Sequence, residues 1–196
     1  PEVRSAFRDA VVSFGGLDLV VSNAGMAHIA PVENLSLADW DKSMGVNATG
    51  HFLVAREAIQ IFRRQGMGGN LIFITTKNVL APGKDFGAYS ASKSAEAQLA
   101  RICAIEGGEF GIRSNMVNPD GVFEHSGLWS AEIRRNRARS YGIRPERLED
   151  FYRDRNLLKT KVSPSDVANS VAFLASAESA KTTGCTLTVD GGVRDA

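Results

Sequence analysis

Short apolar runs alternate with long stretches of helical periodicity throughout this chain of 196 residues. Leu17-Asp18-Leu19-Val20-Val21 is a short, mostly apolar, β-branched run, and Leu71-Ile72-Phe73-Ile74, Ser114 to Val117 and Thr186 to Val189 read as further short strands. A run that is apolar at nearly every position suits a strand buried on both faces, as in a parallel sheet. Between these runs, apolar residues recur at helical spacing over residues 3 to 14, from Leu37 to about Gln65 and from about Ala88 to Glu109. Ser163-Pro164 opens a last helix through Leu174. Gly15-Gly16, Gly66 to Gly69 and Gly111 supply the stops. The alternation predicts an α/β fold: a doubly wound parallel sheet in three α/β/α layers. Residues 122 to 160 break the rhythm with short helical pieces, and no linker or repeat divides the chain, so a single domain over 1–196 is expected.

The net charge of +1 gives no reason to expect nucleic acid or a membrane as the main partner. No apolar run approaches the length of a bilayer span, which makes the cytoplasm the default expectation. Cys103 and Cys185 lack metal-site spacing and are too few for a disulfide framework. His28, His51 and His125 are scattered without ligand spacing, so no metal is predicted.

Tyr89-Ser90-Ala91-Ser92-Lys93 places a phenol and an ammonium four residues apart at the start of an expected helix, hence on one face. A cation beside a tyrosine favours the phenolate, which suits proton exchange with a substrate oxygen in carbonyl reduction or alcohol oxidation. The pair is preceded, in order, by Asn23-Ala24-Gly25 closing one apolar run, Asn47 within a helical stretch, and Thr75-Thr76 closing a second run.

In that order these residues resemble the short-chain dehydrogenase/reductase family over almost the whole chain, to the closing Asp190-Gly191-Gly192. The resemblance implies a Rossmann-like fold and an enzyme using NAD or NADP. It makes Tyr89 the proton donor or acceptor, with Lys93 lowering its pKa and contacting the nicotinamide ribose. Asn47 supports a water that relays protons from Lys93. The family serine falls at Thr76, which keeps the hydroxyl but adds a methyl; a strand-end residue satisfying nearby backbone is the plainer account of Thr76. Asn23, Ala24 and Gly25 would underlie the cofactor together with Tyr89 and Lys93. Family members commonly pair two long helices between subunits, so a homodimer or homotetramer is expected, with Phe52, Ile59, Leu99 and Ile102 as compatible outward positions.

The chain departs from the family at Asn118-Pro119-Asp120-Gly121-Val122-Phe123-Glu124, where Pro-Gly and a later threonine are usual. Pro119, Asp120, Gly121, Val122 and Glu124 are the expected cofactor contacts in this loop, and its acidic residues place negative charge near the substrate. The arginine-dense stretch from Arg134 to Arg155 falls in the family's substrate lid, 122 to 160. Its charges suit either a solvated helical face with ion pairs or a site in which one or two arginines meet a substrate phosphate or carboxylate. Phe151, Tyr152, Leu157 and Leu158 are expected to anchor the lid, and Lys77 and Trp129 to contact substrate.

Thr75-Thr76-Lys77-Asn78, with the Asp120/Glu124 loop, is most similar to the C-terminal dehydrogenase module of bifunctional rhamnulose-1-phosphate aldolase/short-chain dehydrogenases. That likeness implies a small carbonyl or alcohol substrate such as lactaldehyde, a place in rhamnose breakdown, and an aldolase domain in a longer protein. The family's strand, glycine-rich turn and pyrophosphate-binding helix are not found in the sequence. By resemblance about 60–70 residues carrying the N-terminal nucleotide-binding strands would be absent, leaving a sheet edge exposed. A non-catalytic structural or oligomerisation remnant is the competing expectation.

Overall fold

The computed structural model describes residues 1–193. Four parallel strands, β1 (Leu19–Ser22), β2 (Gly69–Ile74), β3 (Ile112–Pro119) and β4 (Thr186–Val189), lie side by side in chain order. Leu71 pairs with Val20 on one side and Ser114 on the other, and Val117 with Leu187. Every crossover contains helix, as parallel neighbours require.

Alternation along β2 explains the layers. Leu71 and Phe73 face one side and pack with Ala55, Ala58 and Phe62 of α3 (His51–Gln65) and Ala97, Ala100 and Cys103 of α4 (Gly87–Gly107). Ile72 faces the other side with Val117 and meets Leu174, Val167 and Val171 of α7 (Pro164–Ala175). Small residues on α3 and α4 let these helices lie close against the sheet. The doubly wound α/β/α arrangement expected from the sequence is therefore present. The first helix, α1 (Glu2–Phe14), packs on α3 through Phe7 and buries no residue completely. β1 and β4 are the two edges of the described sheet, and on β1 Leu19 and Val21 are 36% and 41% exposed.

The helical stretch from Leu37 to Gln65 departs from its sequence expectation. It is α2 (Leu37–Met44), capped by Ser36, then a π-helical segment Gly45–Gly50, then α3. Such segments frequently mark functional positions. Here the widened turn carries Asn47, fully buried, whose amide nitrogen donates to the Met26 carbonyl (2.8 Å) and to Ser92 Oγ (2.9 Å) while its oxygen accepts from Met26 N–H (3.0 Å). One side chain thus ties the loop after β1 to α4.

Residues 122 to 160 hold α5 (Ala131–Ser140) and α6 (Leu148–Arg155) around a separate apolar cluster of Phe123, Trp129, Ala138, Leu148 and Tyr152. Phe123 stacks on Trp129 at 4.2 Å between ring centres, and Tyr152 meets both edge-on. Tyr152 anchors this segment as expected. Leu157 and Leu158 do not, being 56% and 73% exposed; their backbone N–H groups, not their side chains, hold the chain by donating to Gly192 and Gly191. Among the described residues no helix is long and apolar enough to cross a membrane.

Candidate active site

Parallel strands end on the same side of a sheet, and the loops leaving those ends enclose a cavity of about 610 Å³. Thr76 lies two residues past the end of β2. Its backbone is extended, and its Oγ1 accepts from Asn78 N–H (3.3 Å), capping the short turn Lys77–Val79. The plain strand-end role is real, yet the same side chain also bears on the phenol of Tyr89, where it favours the charged form.

Tyr89 sits in the first turns of α4 with its ring edge-on to Phe86 at 5.3 Å. Its phenol is pushed up to about 12, because burial disfavours the phenolate and the carboxylates of Glu96 and Asp120 repel it; Thr76 opposes the shift. The sequence expectation was a phenol with lowered pKa. Burial of the phenol is the main reason for the difference; the Lys93 side chain is itself 97% buried, its ammonium donating to the Ile74 carbonyl (2.8 Å) and lying 2.7 Å from Glu96 Oε2.

Thr76, Tyr89 and Lys93 all line the cavity, as do Asn23, Gly25, Pro119, Asp120, Gly121, Val122, Glu124 and Trp129. A Cβ on Gly25 would stand 3.7 Å from Lys93 Nζ and 3.8 Å from Asn47 Oδ1, so glycine here leaves open the space in front of both groups. Three expected residues lie elsewhere. Asn47 is behind the cavity wall, Ala24 turns its carbonyl to His51 Nε2 (2.8 Å), and Lys77 is buried with its ammonium donating to the Ala81 carbonyl (2.9 Å). Burial, with Arg155 nearby, lowers the Lys77 pKa. The Lys77 ammonium is thus held within its own turn by the Ala81 carbonyl, which offsets part of the desolvation cost, and Lys77 is not among the residues that line the cavity.

The acidic loop is partly neutralised. Asp120 pairs with Arg155, while Glu124, 64% exposed, faces His125 Nε2 at 3.5 Å. Neither expectation for the lid arginines is met in full. Arg147 and Arg153 pair with Asp150 on the outer face of α6. Arg137 and Arg155 are internal, bonding Tyr152 and Tyr141 hydroxyls respectively, and neither lines the cavity. Lys93 is the one lysine or arginine among the described residues that does.

Sequence reasoning missed Glu96, His51 and Ser22. Glu96 is completely buried three residues after Lys93; its Oε1 lies 3.2 Å from His51 Nδ1, which is also 2.7 Å from Ser22 Oγ. The i,i+3 spacing from Lys93 was the available signal.

The family described as Enoyl-(Acyl carrier protein) reductase matches residues 1–194. The uncharacterized oxidoreductase YuxG of Bacillus subtilis is 48% identical over 98% of this chain, which spans 28% of that protein's length. Sorbitol-6-phosphate 2-dehydrogenase of Escherichia coli is 32% identical over 91% of this chain and 68% of its own. The crystal structure of sorbitol-6-phosphate 2-dehydrogenase SrlD from Erwinia amylovora superposes with a TM-score of 0.89 at 32% identity, covering 97% of this chain and 73% of that one. Levodione reductase, at 24% identity and a TM-score of 0.86, shares the fold.

Proposed function

The chain belongs to the short-chain dehydrogenase/reductase family, and on that premise we propose that it carries the catalytic residues of an oxidoreductase that exchanges a hydride between NAD or NADP and a carbonyl or alcohol carbon. The convergence of Thr76, Tyr89 and Lys93 on one cavity at the strand ends carries this reading. A scaffold or remnant has no need of the three together. The open floor at Gly25 and the loop Pro119 to Val122 fit the nicotinamide end of such a cofactor, which supplies or accepts the hydride when bound. Tyr89 gives its phenolic proton to the substrate oxygen in reduction and takes it back in oxidation. Thr76 donates a hydrogen bond to that oxygen, and Lys93 fixes the local charge. Asn47 holds the Met26 backbone and Ser92 in place beside them.

Substrate class follows from charge. With Lys93 committed to Glu96 and Ile74, and Asp120 and Glu124 on the cavity wall, a neutral small carbonyl such as lactaldehyde suits the site better than a phosphorylated sugar. YuxG's much greater length supports a dehydrogenase module inside a longer protein, where an aldolase domain is the partner we favour. The assembly we favour is a homodimer or homotetramer.

Replacing Tyr89 by Phe in the intact protein is expected to lower turnover of lactaldehyde with NADH about 10²–10⁴-fold, while saturable quenching of NADH fluorescence persists. Full turnover in that variant would overturn the assignment of Tyr89.

A further inference from the structure

Asp120 stands on the cavity wall just past the end of β3, and behind it, outside the cavity, lies Arg155. Arg155 Nη2 donates to Asp120 Oδ2 and Nη1 to Tyr141 Oη (3.1 Å), while the guanidinium lies 3.8 Å from the centre of the Tyr152 ring. Arg137 reaches the same two tyrosines, donating to Tyr141 Oη and to Tyr152 Oη (3.0 Å), and has no carboxylate partner among the described residues. Two internal guanidinium groups therefore meet at one hydroxyl, with one carboxylate between them. The Lys77 ammonium, in the turn after β2, feels both cations, with Asp120 and Asp190 opposing. Positive charge exceeds negative beneath this part of the wall. A guanidinium cannot lose its proton to escape burial, so what an anion in the cavity meets is decided by Asp120. Its carboxylate takes the Arg155 donor that a substrate phosphate or carboxylate would otherwise take.

We propose that Asp120 is a specificity-determining residue: its carboxylate occupies the place where an anionic substrate would meet Arg155, and so holds the site to neutral carbonyl compounds. An anion in the cavity meets the carboxylate first and is repelled, and the cation behind is already taken; a neutral compound loses nothing by either. With the charge of Asp120 removed and its shape kept, the guanidinium pair is left without its anion and a phosphate or carboxylate on the substrate can supply one. The inference rests on the oxidoreductase reading for its consequence in turnover, whereas the anion site itself is read by binding alone.

The test compares glyceraldehyde with glyceraldehyde 3-phosphate, which offer the same carbonyl without and with a phosphate, in NADH-dependent reduction by the intact protein. Wild type is expected to show no lower KM for the phosphorylated compound. In Asp120→Asn, kcat/KM for the phosphorylated aldehyde relative to the neutral one is expected to rise about tenfold, through KM, the scale of one hydrogen bond to a charged group. The rise should shrink as salt is added and disappear in the double variant Asp120→Asn/Arg155→Gln. Without substrate, inorganic phosphate is expected to raise the thermal midpoint of Asp120→Asn more than that of wild type or the double variant. A merely structural Asp120 would alter both aldehydes alike and leave their ratio unmoved. An unmoved ratio, a gain that survives the loss of Arg155, or a lower KM for the phosphorylated compound in wild type overturns the proposal; the last needs no variant to fold. Turnover of neither aldehyde counts against the oxidoreductase reading and leaves the phosphate midpoints to decide. A rise particular to Asp120→Asn then supports the anion site, and its absence overturns it.

Discussion

At the scale of the residue, burial moves the proton affinities of Glu96 and His51 in opposite directions. In the unfolded chain at about pH 5.5 the histidine is protonated and the glutamate is not; in the fold the carboxyl holds the proton and the ring is neutral, with values of about 7 and about 4. The two linkages therefore oppose. His51, lowered from 6.5, contributes stability that is lost as pH falls towards 4, whereas Glu96, raised from 4.5, costs stability as pH rises towards 7. Over the shared window they cancel, and wild-type stability should owe little pH dependence to this pair. Glu96→Gln leaves the histidine linkage alone, so its stability is expected to climb between about pH 4 and 6.5, by on the order of 2 kcal/mol. Urea unfolding at a series of pH values checks this, and a variant with the same slope as wild type would contradict it.

At the scale of the element, the lid is fastened by a cation with no carboxylate partner among the described residues. Arg137 of α5 is 99% buried, donates to Tyr152 Oη (3.0 Å) and to the Lys84 carbonyl, and lies 4.5 Å and 4.2 Å from the ring centres of Phe86 and Tyr141. It joins α5 to the loop before α4, so its loss should loosen the lid more than the sheet. Arg137→Ala is expected to cost about 2–4 kcal/mol, with hydrogen exchange rising first in α5 and α6; an evenly distributed rise would argue against this role. The sequence showed these arginines only as a dense run, since whether a charge is solvated or buried depends on which loop packs over it. β2 was the most legible strand because burial makes Leu71, Ile72 and Phe73 apolar in succession. Thr76, Tyr89 and Lys93 were legible because they occupy a strand end and one helix face. The π-helical segment was not, as its apolar spacing is nearly that of an α-helix. His51 and Glu96 were hidden for another reason: their partnership is made across α3 and α4, 45 residues apart in sequence.

At the scale of the molecule, the apolar surface left exposed is uneven. α3 and α4 cover the same face of the sheet, yet Phe52 on α3 and Ile102 and Ile105 on α4 remain 45%, 40% and 76% exposed. Ile59 and Leu99, also expected to face outward, pack against the core instead. The outward row on α4 includes Ala95, Gln98, Ile102 and Ile105, which follow helical spacing and carry no charge. A face of this composition suits the core of a subunit interface better than permanent contact with water. In the assembly we favour, two copies bring these helices together, and a charge at the centre of the patch would be buried unpaired on both sides of the two-fold axis. Ile102→Glu is therefore expected to convert the protein to a slower-sedimenting species of monomer mass in analytical ultracentrifugation, with its circular dichroism unchanged because the position is half-exposed in the single chain. The same mass for variant and wild type, both multimeric, would place the interface on another face.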